Sequence, residues 1–405
     1  MSEWLAQPLG SLATFQKGRK VETSEHPREG FVPYLGASAI SGIVEEYGDT
    51  RIGVMSAPGD VLMLWDGERS GLVGKAQIGI ISSTVARLSP KMDVEGDYLY
   101  YALDSKFEWI QGHRTGTGVP HVPKDLSRIL SISYPKNKNE QRRIAEILST
   151  MDKAIKKTKA LIAKYQQIRV GLMHDLFTRG VTADGKLRPS REKAPELYKE
   201  TPIGWIPKEW ELEHCSNLCT RICVGIVIQP TQYYVTDGVP AFRSANIRED
   251  GIDPSNIVYI SPLSNTLLAK SQVRAGDILS VRTGYPGTSA VVPREFHGVN
   301  CIDILISSPS ARIDAGFLCN WINSSFGKEQ VLRQQGGMAQ QHFNVGEMRE
   351  LLVALPIREE QLRIRCRASS VEKKLQAEKK LQEKLHCQKL GLMSDLLTGK
   401  VRITN

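Results

Sequence analysis

The stretch LMHDLFTRGV at residues 172–181 returns as LMSDLLTGKV at residues 392–401, 220 residues further along a chain of 405. Upstream, NEQRRI at 139–144 returns as EEQLRI at 359–364 with the same offset. Each segment lacks proline, follows a proline (Pro135 or Pro356), and runs to a glycine (Gly180 or Gly399). These are signals for the start and stop of a helix. The sequence predicts two matched long helices over residues 139–180 and 359–400.

Both segments repeat apolar residues in alternating steps of four and three, the spacing of a coiled-coil seam. Equal length and a matched seam favour packing of the two helices on each other over two separate surface helices. Each helix also carries an interior glycine, Gly171 or Gly391, for which we predict close packing against a neighbour. The two seams are Ile144, Leu148, Met151, Ile155, Thr158, Ile162, Tyr165, Arg169, Leu172, Leu176 and Ile364, Ala368, Val371, Leu375, Glu378, Gln382, Leu385, Lys389, Leu392, Leu396.

The rest of each half is also repeated, but with an offset that drifts from 206 to 217. EWLAQPLGSLAT at 3–14 matches EWELEHCSNLCT at 209–220, and APGDVLM at 57–63 matches RAGDILS at 274–280. Short β-type runs alternate with glycine turns and short helices. We therefore predict an α+β fold with an internal repeat, in which residues 1–138 and 209–358 are mixed α/β domains. Residues 181–208, rich in Pro, Lys and Glu, have the composition of a linker.

The composition, 41% hydrophobic and 24% charged residues, is that of a soluble globular protein. No apolar run approaches the ~18 residues of a membrane helix, and no leader pattern is present, so a cytoplasmic protein without membrane contact is expected. The net charge is +9, of which 139–180 carries +5 and 359–400 carries +4. Concentrated positive charge suits phosphate contact. A solvated helix face is the alternative.

Motifs for catalysis or metal binding are weak. Cys215, Cys219 and Cys223 form C-x3-C-x3-C, but structural zinc sites use tighter pairs and a fourth ligand, so reduced, packed cysteines are the favoured interpretation. The chain has no Pro-Pro pair, which an amino-methyltransferase loop needs, and GERSGLVGKA at 67–76 lacks the spacing of a phosphate-binding loop. We predict no catalytic, cofactor or metal site in this chain.

Several stretches resemble the specificity subunit of a type I restriction–modification system. ILSISYPKNKNEQRRIAEIL and GLMHDLFTRGV are similar to the start and end of the family's first conserved region. ETPIGWIPKEWEL resembles the opening of its second recognition domain, and LMSDLLTGKVRI its C-terminus. The order of these stretches and the duplication carry the resemblance over essentially the whole chain.

The resemblance implies a non-catalytic reader of double-stranded DNA with a split recognition site. It implies target recognition domains at 1–138 and 209–358, a linker at 181–208, and two antiparallel spacer helices at 139–180 and 359–400 related by a pseudo-twofold axis. The helices would set the distance between the two readers and dock the methylation (M) subunits, which the restriction (R) subunits then join. AdoMet, ATP and magnesium would belong to those partner subunits.

Candidate DNA contacts lie in loops that combine hydrogen-bond donors with glycine turns. Arg suits guanine, and Asn or Gln suits adenine; Trp65 is predicted to pack in the core rather than act as a wedge between bases. The candidates are Lys17, Arg19, Lys20, Arg69, Ser70, His113, Arg114, Thr115 and His121 in the first domain, and Arg243, Asn246, Arg282, Thr283, Tyr285, Arg333, Gln334, Gln335, Gln340, Gln341 and His342 in the second.

Two other functions stay open on sequence alone. A coiled-coil scaffold would recruit partners without reading DNA sequence. A self-sufficient DNA-modifying enzyme would bind AdoMet by itself.

Overall fold

The computed structural model describes residues 3–116, 118–333 and 342–403. The chain divides into two units: unit 1 holds residues 1–160 and 379–405, and unit 2 holds residues 161–378. Both divisions fall inside long helices. Each unit therefore contains one predicted recognition domain together with part of each predicted spacer helix.

Unit 1 contains eleven strands and four short helices among its described residues. The strands are β1 (Trp4–Pro8), β2 (Ala13–Lys17), β3 (Thr23–Ser24), β4 (Phe31–Leu35), β5 (Glu46–Asp49), β6 (Val54–Ser56), β7 (Val61–Leu64), β8 (Val73–Lys75), β9 (Gly79–Ile81), β10 (Val85–Pro90) and β11 (Ser131–Pro135). The helices are α1 (Leu9–Leu12), α2 (Gly96–Asp104), α3 (Phe107–Gly112) and α4 (Leu126–Ile129).

Three sheets organise unit 1: β2-β10-β7-β8, β3-β5-β4-β9-β6 and the pair β1-β11. Strand β7, the VLML run, is buried at every position, because it lies between two neighbours and both of its faces are covered. Helix α2 contributes Tyr98, Leu99, Ala102 and Leu103 to the main core. Strand β7 and helix α2 agree with the short β-type runs and short helices predicted for this domain.

Two helices much longer than the rest follow the two sets of strands: α5 (Lys138–Arg179, 42 residues) and α11 (Arg358–Leu396, 39 residues). Their bounds agree with the predicted helices to within a few residues. All twenty predicted seam residues are buried or half-buried. No helix among the described residues is long and apolar enough to cross a membrane.

Unit 2 repeats much of this plan. Its strands are β12 (Tyr198–Thr201), β13 (Gly204–Pro207), β14 (Glu211–His214), β15 (Cys219–Val224), β16 (Tyr234–Val235), β17 (Val239–Phe242), β18 (Ile247–Arg248), β19 (Gly251–Ile252), β20 (Val258–Ile260), β21 (Ile278–Val281), β22 (Ser289–Val291), β23 (Asn300–Cys301), β24 (Ile304–Pro309) and β25 (Leu352–Leu355). Its short helices are α6 (Cys215–Leu218), α7 (Pro262–Leu267), α8 (Ala315–Asn323), α9 (Ser325–Arg333) and α10 (Val345–Glu350).

The sheet β15-β24-β21-β22 matches β2-β10-β7-β8, and β14-β25 matches β1-β11. The other four-stranded sheet of unit 2 is β16-β20-β17-β23. The strand order therefore confirms the duplication inferred from sequence.

The two long helices contact each other in antiparallel directions. In unit 1 the early α5 residues Ile144 and Leu148 share a core with the late α11 residues Met393 and Leu396. In unit 2 the late α5 residue Leu176 packs with early α11 residues. The predicted antiparallel pair is confirmed.

Two ion pairs join the helices at equivalent places. Asp152 contacts Lys389 at 2.8 Å in unit 1, and Arg169 contacts Glu372 at 3.1 Å in unit 2. The offset of 220 converts one pair into the other, with acid corresponding to acid and base to base. This exchange is what a pseudo-twofold repeat requires.

The prediction that the interior glycines pack closely against a neighbour is wrong. A Cβ atom at Gly171 or at Gly391 would meet nothing within 4 Å, so these residues do not pack closely against a neighbour as predicted. Both lie on the exposed side of their helix.

The repeated Glu-Gln pair at the start of each helix is buried. The Gln141 side chain donates to the carbonyl of Pro135 (2.9 Å) and accepts from the backbone N–H of Glu95 (2.8 Å). Gln361 does the same with Pro356 (2.9 Å) and Asp314 (2.7 Å). Each glutamine thus satisfies backbone groups where strand, loop and helix meet.

The predicted linker, residues 181–208, is a folded segment. It forms the hairpin β12–β13 and contributes Arg188, whose guanidinium pairs with the buried carboxylate of Glu360. The backbone N–H of Val181 (2.8 Å) and Nε1 of Trp210 (3.2 Å) donate to the same carboxylate. The composition suggested a linker because the sequence does not show whether a charged residue such as Arg188 is buried or solvated.

Candidate nucleic-acid interface

In unit 1 the candidate residues gather at one edge of the β2-β10-β7-β8 sheet. Strands β2 and β7 both run antiparallel to β10, so the segments that follow them leave from the same edge. The backbone of Gly67, after β7, donates to the carbonyl of Pro120 (2.8 Å). That bond brings residues 118–121, which include the candidate His121, to this edge.

At this edge, Asp66 contacts two of the candidate residues. Lys17 Nζ and His121 Nδ1 each lie 2.7 Å from a carboxylate oxygen of Asp66. Since a carboxylate accepts hydrogen bonds, Nδ1 is the His121 atom placed to donate to Asp66. Asp66 thereby orients two candidate residues. Sequence reasoning did not select it, although it lies three residues before the candidate Arg69.

The other candidates of unit 1 differ in whether their side chains are held by hydrogen bonds or exposed to solvent. Arg114 is tied to its own loop because it donates to the carbonyls of Glu68 (2.6 Å) and Gln111 (2.9 Å). Trp65 packs on Phe15 at 6.4 Å between ring centroids, in agreement with the predicted core role. The candidates that stay exposed are Arg19, Lys20, Arg69, His113 and Thr115.

Unit 2 has the corresponding edge. Strands β15 and β21 both run antiparallel to β24, so residues 225–229 and 282–288 leave from one side, next to 301–303. Arg282 forms an ion pair with Asp303 and exchanges hydrogen bonds with the backbone of Phe343. Arg282 therefore connects three segments of this edge, as Asp66 does in unit 1.

The backbone of this edge is strained at two non-glycine residues. Gln229 has φ +41° and Asp303 has φ +51°, in the left-handed region that costs free energy for most residues. Such conformations concentrate where function demands them. Neither residue was predicted from sequence, and no local motif would have revealed the positive φ.

The structure removes Ser70 and Asn246 from the surface. Ser70 is fully buried. The Asn246 amide donates to the carbonyls of Asp253 (3.0 Å) and Ser255 (2.8 Å) and accepts from the backbone of Arg243. The Asn246 side chain thus holds its loop together, whereas the buried Ser70 hydroxyl has no hydrogen-bond partner among the described residues. The prediction that they contact DNA is corrected accordingly.

The remaining candidates of unit 2 lie on loops and at the end of α9. Thr283 is half-buried, whereas Tyr285 and His342 are exposed. Arg243 donates to the carbonyl of Asn256 at 2.8 Å. Arg333, in the last turn of α9, contacts Glu329 at 3.3 Å. Four predicted contacts lie outside the described residues: Gln334, Gln335, Gln340 and Gln341.

The three cysteines of the C-x3-C-x3-C motif have the character of packed side chains. Cys215 and Cys223 are buried. A hydrogen bond with the Cys215 thiol, at 3.7 Å, together with burial raises the pKa of Cys219, which disfavours the thiolate that zinc requires. Among the described residues, no three His, Cys, Asp or Glu side chains are grouped to hold a metal ion.

Comparison with known proteins agrees with this architecture. The family described as "Type I restriction modification DNA specificity domain" matches residues 1–165. The MjaVIII specificity subunit of Methanocaldococcus jannaschii is 25% identical over 418 residues, covering 100% of this chain and 94% of that protein. The EcoBI specificity subunit of Escherichia coli is 24% identical over 393 residues, covering 92% of this chain and 81% of that protein.

A solved structure shows the same fold. The type I restriction–modification S subunit of Mycoplasma genitalium superposes with a TM-score of 0.64 at 18% identity, covering 100% of this chain and 97% of that one. Duplicated α/β domains followed by two long antiparallel helices are the architecture that this chain shares with that S subunit. Over its whole length the chain is similar to specificity subunits of type I restriction–modification systems, and its residues 1–165 match the family's DNA specificity domain.

Proposed function

We propose that the edges of units 1 and 2 each read one half of a split DNA site, and that the chain itself is not catalytic. The observation that carries this proposal is the repeated edge: equivalent sheets hold equivalent loops, and both contain exposed donors. Exposed Arg19, Lys20 and Arg69 suit phosphate and guanine contacts. Glycine-rich turns allow close approach to the backbone of DNA.

Methylome sequencing tests this function. Cells lacking other DNA methyltransferases would express the methylation subunit with or without this chain. We expect one two-part methylated motif that appears only when both proteins are present. Methylation without a motif, or an identical motif from the methylation subunit alone, would refute DNA reading by this chain.

We further propose that the long helices dock the methylation subunits, which restriction subunits then join. Val170 and Leu390 occupy equivalent positions and are 73% and 68% exposed. Each precedes an exposed glycine with open space above it. Apolar side chains beside unobstructed backbone suit burial against a partner helix. The duplication supplies two such places, which fits two copies of one partner.

Charge substitution tests this docking. Val170→Asp and Leu390→Asp should each reduce the methylation subunits bound per chain from two to one, as measured by native mass spectrometry. Thr150→Asp and Ser370→Asp are matched controls, because these residues are exposed on the same helices. Full occupancy in the Val170 and Leu390 variants would place the docking surface elsewhere.

Cofactor chemistry belongs to the partners in this proposal. We infer that AdoMet, ATP and magnesium bind the methylation and restriction subunits, and that the complex works in the cytoplasm. Calorimetry of AdoMet with the isolated chain should give no binding heat. A saturable heat would instead support the self-sufficient enzyme.

A further inference from the structure

The loop at residues 282–288 of unit 2, between β21 and β22, holds an aromatic ring in solvent. Tyr285 is 83% exposed. The loop is braced beneath it: Val281 donates to the carbonyl of Thr288 (2.8 Å), and Gly287 donates to the carbonyl of Val281 (3.0 Å). Gly284 and Gly287 supply the positive φ values that the turn needs. A braced loop that keeps a large ring out of the core indicates a ligand for that ring.

A surface groove of about 420 Å³ lies beside the tyrosine. This volume is within the ~300–1,000 Å³ of small-ligand sites. Its lining combines the buried apolar side chains of Val281 and Ile247 with the hydroxyl-bearing Thr283 and Thr288. A planar heterocycle suits such a lining, since its faces contact carbon and its edge exchanges hydrogen bonds with hydroxyls.

We propose that this groove receives one nucleobase turned out of the DNA stack, with the base lying against the Tyr285 ring. This inference rests on the proposed DNA reading by unit 2 and adds an unstacking step to it. The groove lies at the loop that follows β21, on the same edge as Arg282 and Asp303. Stacking of a base on an aromatic ring is favourable for every base, and it offsets part of the cost of unstacking.

The duplication predicts that the step occurs in one half-site only. The equivalent loop of unit 1 has Glu68 and Arg69 where unit 2 has Tyr285 and Pro286. Both unit 1 side chains are exposed, but neither offers an aromatic face. Unit 1 therefore has no equivalent stacking ring in that loop.

The test uses the full chain with its methylation subunit and a duplex carrying the methylated motif. 2-Aminopurine replaces each base of the unit 2 half-site in turn, and its fluorescence is measured on binding. The methylation subunit extrudes its own target base, so one signal at the methylated position serves as an internal reference. We expect a second position with a several-fold rise in fluorescence.

Three variants separate the causes of that second rise. Tyr285→Phe keeps the ring and should keep the rise. Tyr285→Ala should abolish it and weaken binding roughly 5- to 150-fold, the effect of one lost base–aromatic stack. Ala245→Trp fills the groove from an exposed position of its lining and should abolish the rise while the tyrosine stays in place. The rise at the methylated base should persist in all three.

Each outcome has one meaning. Absence of the second rise in a wild-type complex that binds its motif would overturn the groove proposal and leave DNA reading intact. Persistence in Tyr285→Ala would overturn it as well. A rise lost in Tyr285→Ala and kept in Ala245→Trp would show insertion of the ring without use of the groove. A wild-type complex without sequence preference would instead overturn the proposed function.

Discussion

Removal of the Glu360 carboxylate should strongly destabilise unit 2, because it stands where the first long helix ends and the second begins. Glu360 is 3% exposed and accepts from Arg188, from Trp210 and from the backbone N–H of Val181. Breaking a buried ion pair by removing one partner costs ~3–5 kcal/mol. Glu360→Ala leaves the buried guanidinium without that carboxylate, so we expect a loss of this size in the free energy of unfolding.

A double-mutant cycle with urea denaturation measures the coupling. Arg188→Ala in the Glu360→Ala background removes the buried guanidinium, which then keeps only Glu209 as a carboxylate partner. The double variant should therefore lose less stability than the sum of the two single variants. Glu140→Ala is the matched comparison at the equivalent position, since Glu140 is 7% exposed and pairs with Arg402 in unit 1. A Glu360→Ala loss below ~1 kcal/mol, or additive single effects, would refute the assigned role of this carboxylate.

Two further predictions concern the helices and acid stability. Inserting one heptad after Lys164 and one after Lys384 lengthens each helix by roughly 10 Å. The unread spacer between the two half-sites should then grow by about three base pairs. An active variant whose methylome keeps the original spacing would show that helix length does not set the spacer length. Burial raises the pKa of Glu249, but hydrogen bonds from Lys328 and Arg169 outweigh it and hold that pKa below its usual value. The stabilisation by Glu249 is therefore complete above the ordinary carboxyl pKa and is lost as pH falls through the lowered pKa. The thermal midpoint of wild type should exceed that of Glu249→Gln clearly at pH 7, and the difference should shrink towards pH 3. An equal difference at both pH values would contradict the ion pairing.

The long helices could be predicted because their periodicity is a local property of the sequence. The seam holds even at Arg169 and Lys389, where the charged residues gain acidic partners on the facing helix. The duplicated strands followed from the same repeats. Sequence could not show that Gly171 and Gly391 face open space, since a glycine reports small size without saying what surrounds it.

Sequence reasoning selected loops that lie close together, but it did not identify which of their side chains are exposed. The loops do meet at one edge of each sheet, because antiparallel pairing brings the ends of alternate strands together. Ser70 and Asn246 were selected for their polar side chains, yet both are buried. Asp66 and Asp303 were missed because their partners lie 21 or more residues away in sequence. Long-range pairing of this kind has no signature in a single chain.

The most direct test of two independent readers is a domain exchange followed by methylome sequencing. Residues 209–358 would be replaced by the second recognition domain of another type I specificity subunit whose split site is known. If each unit reads one half, the methylated motif keeps the half read by unit 1 and gains the donor's second half. An active hybrid in which both halves change, or neither does, would contradict the account.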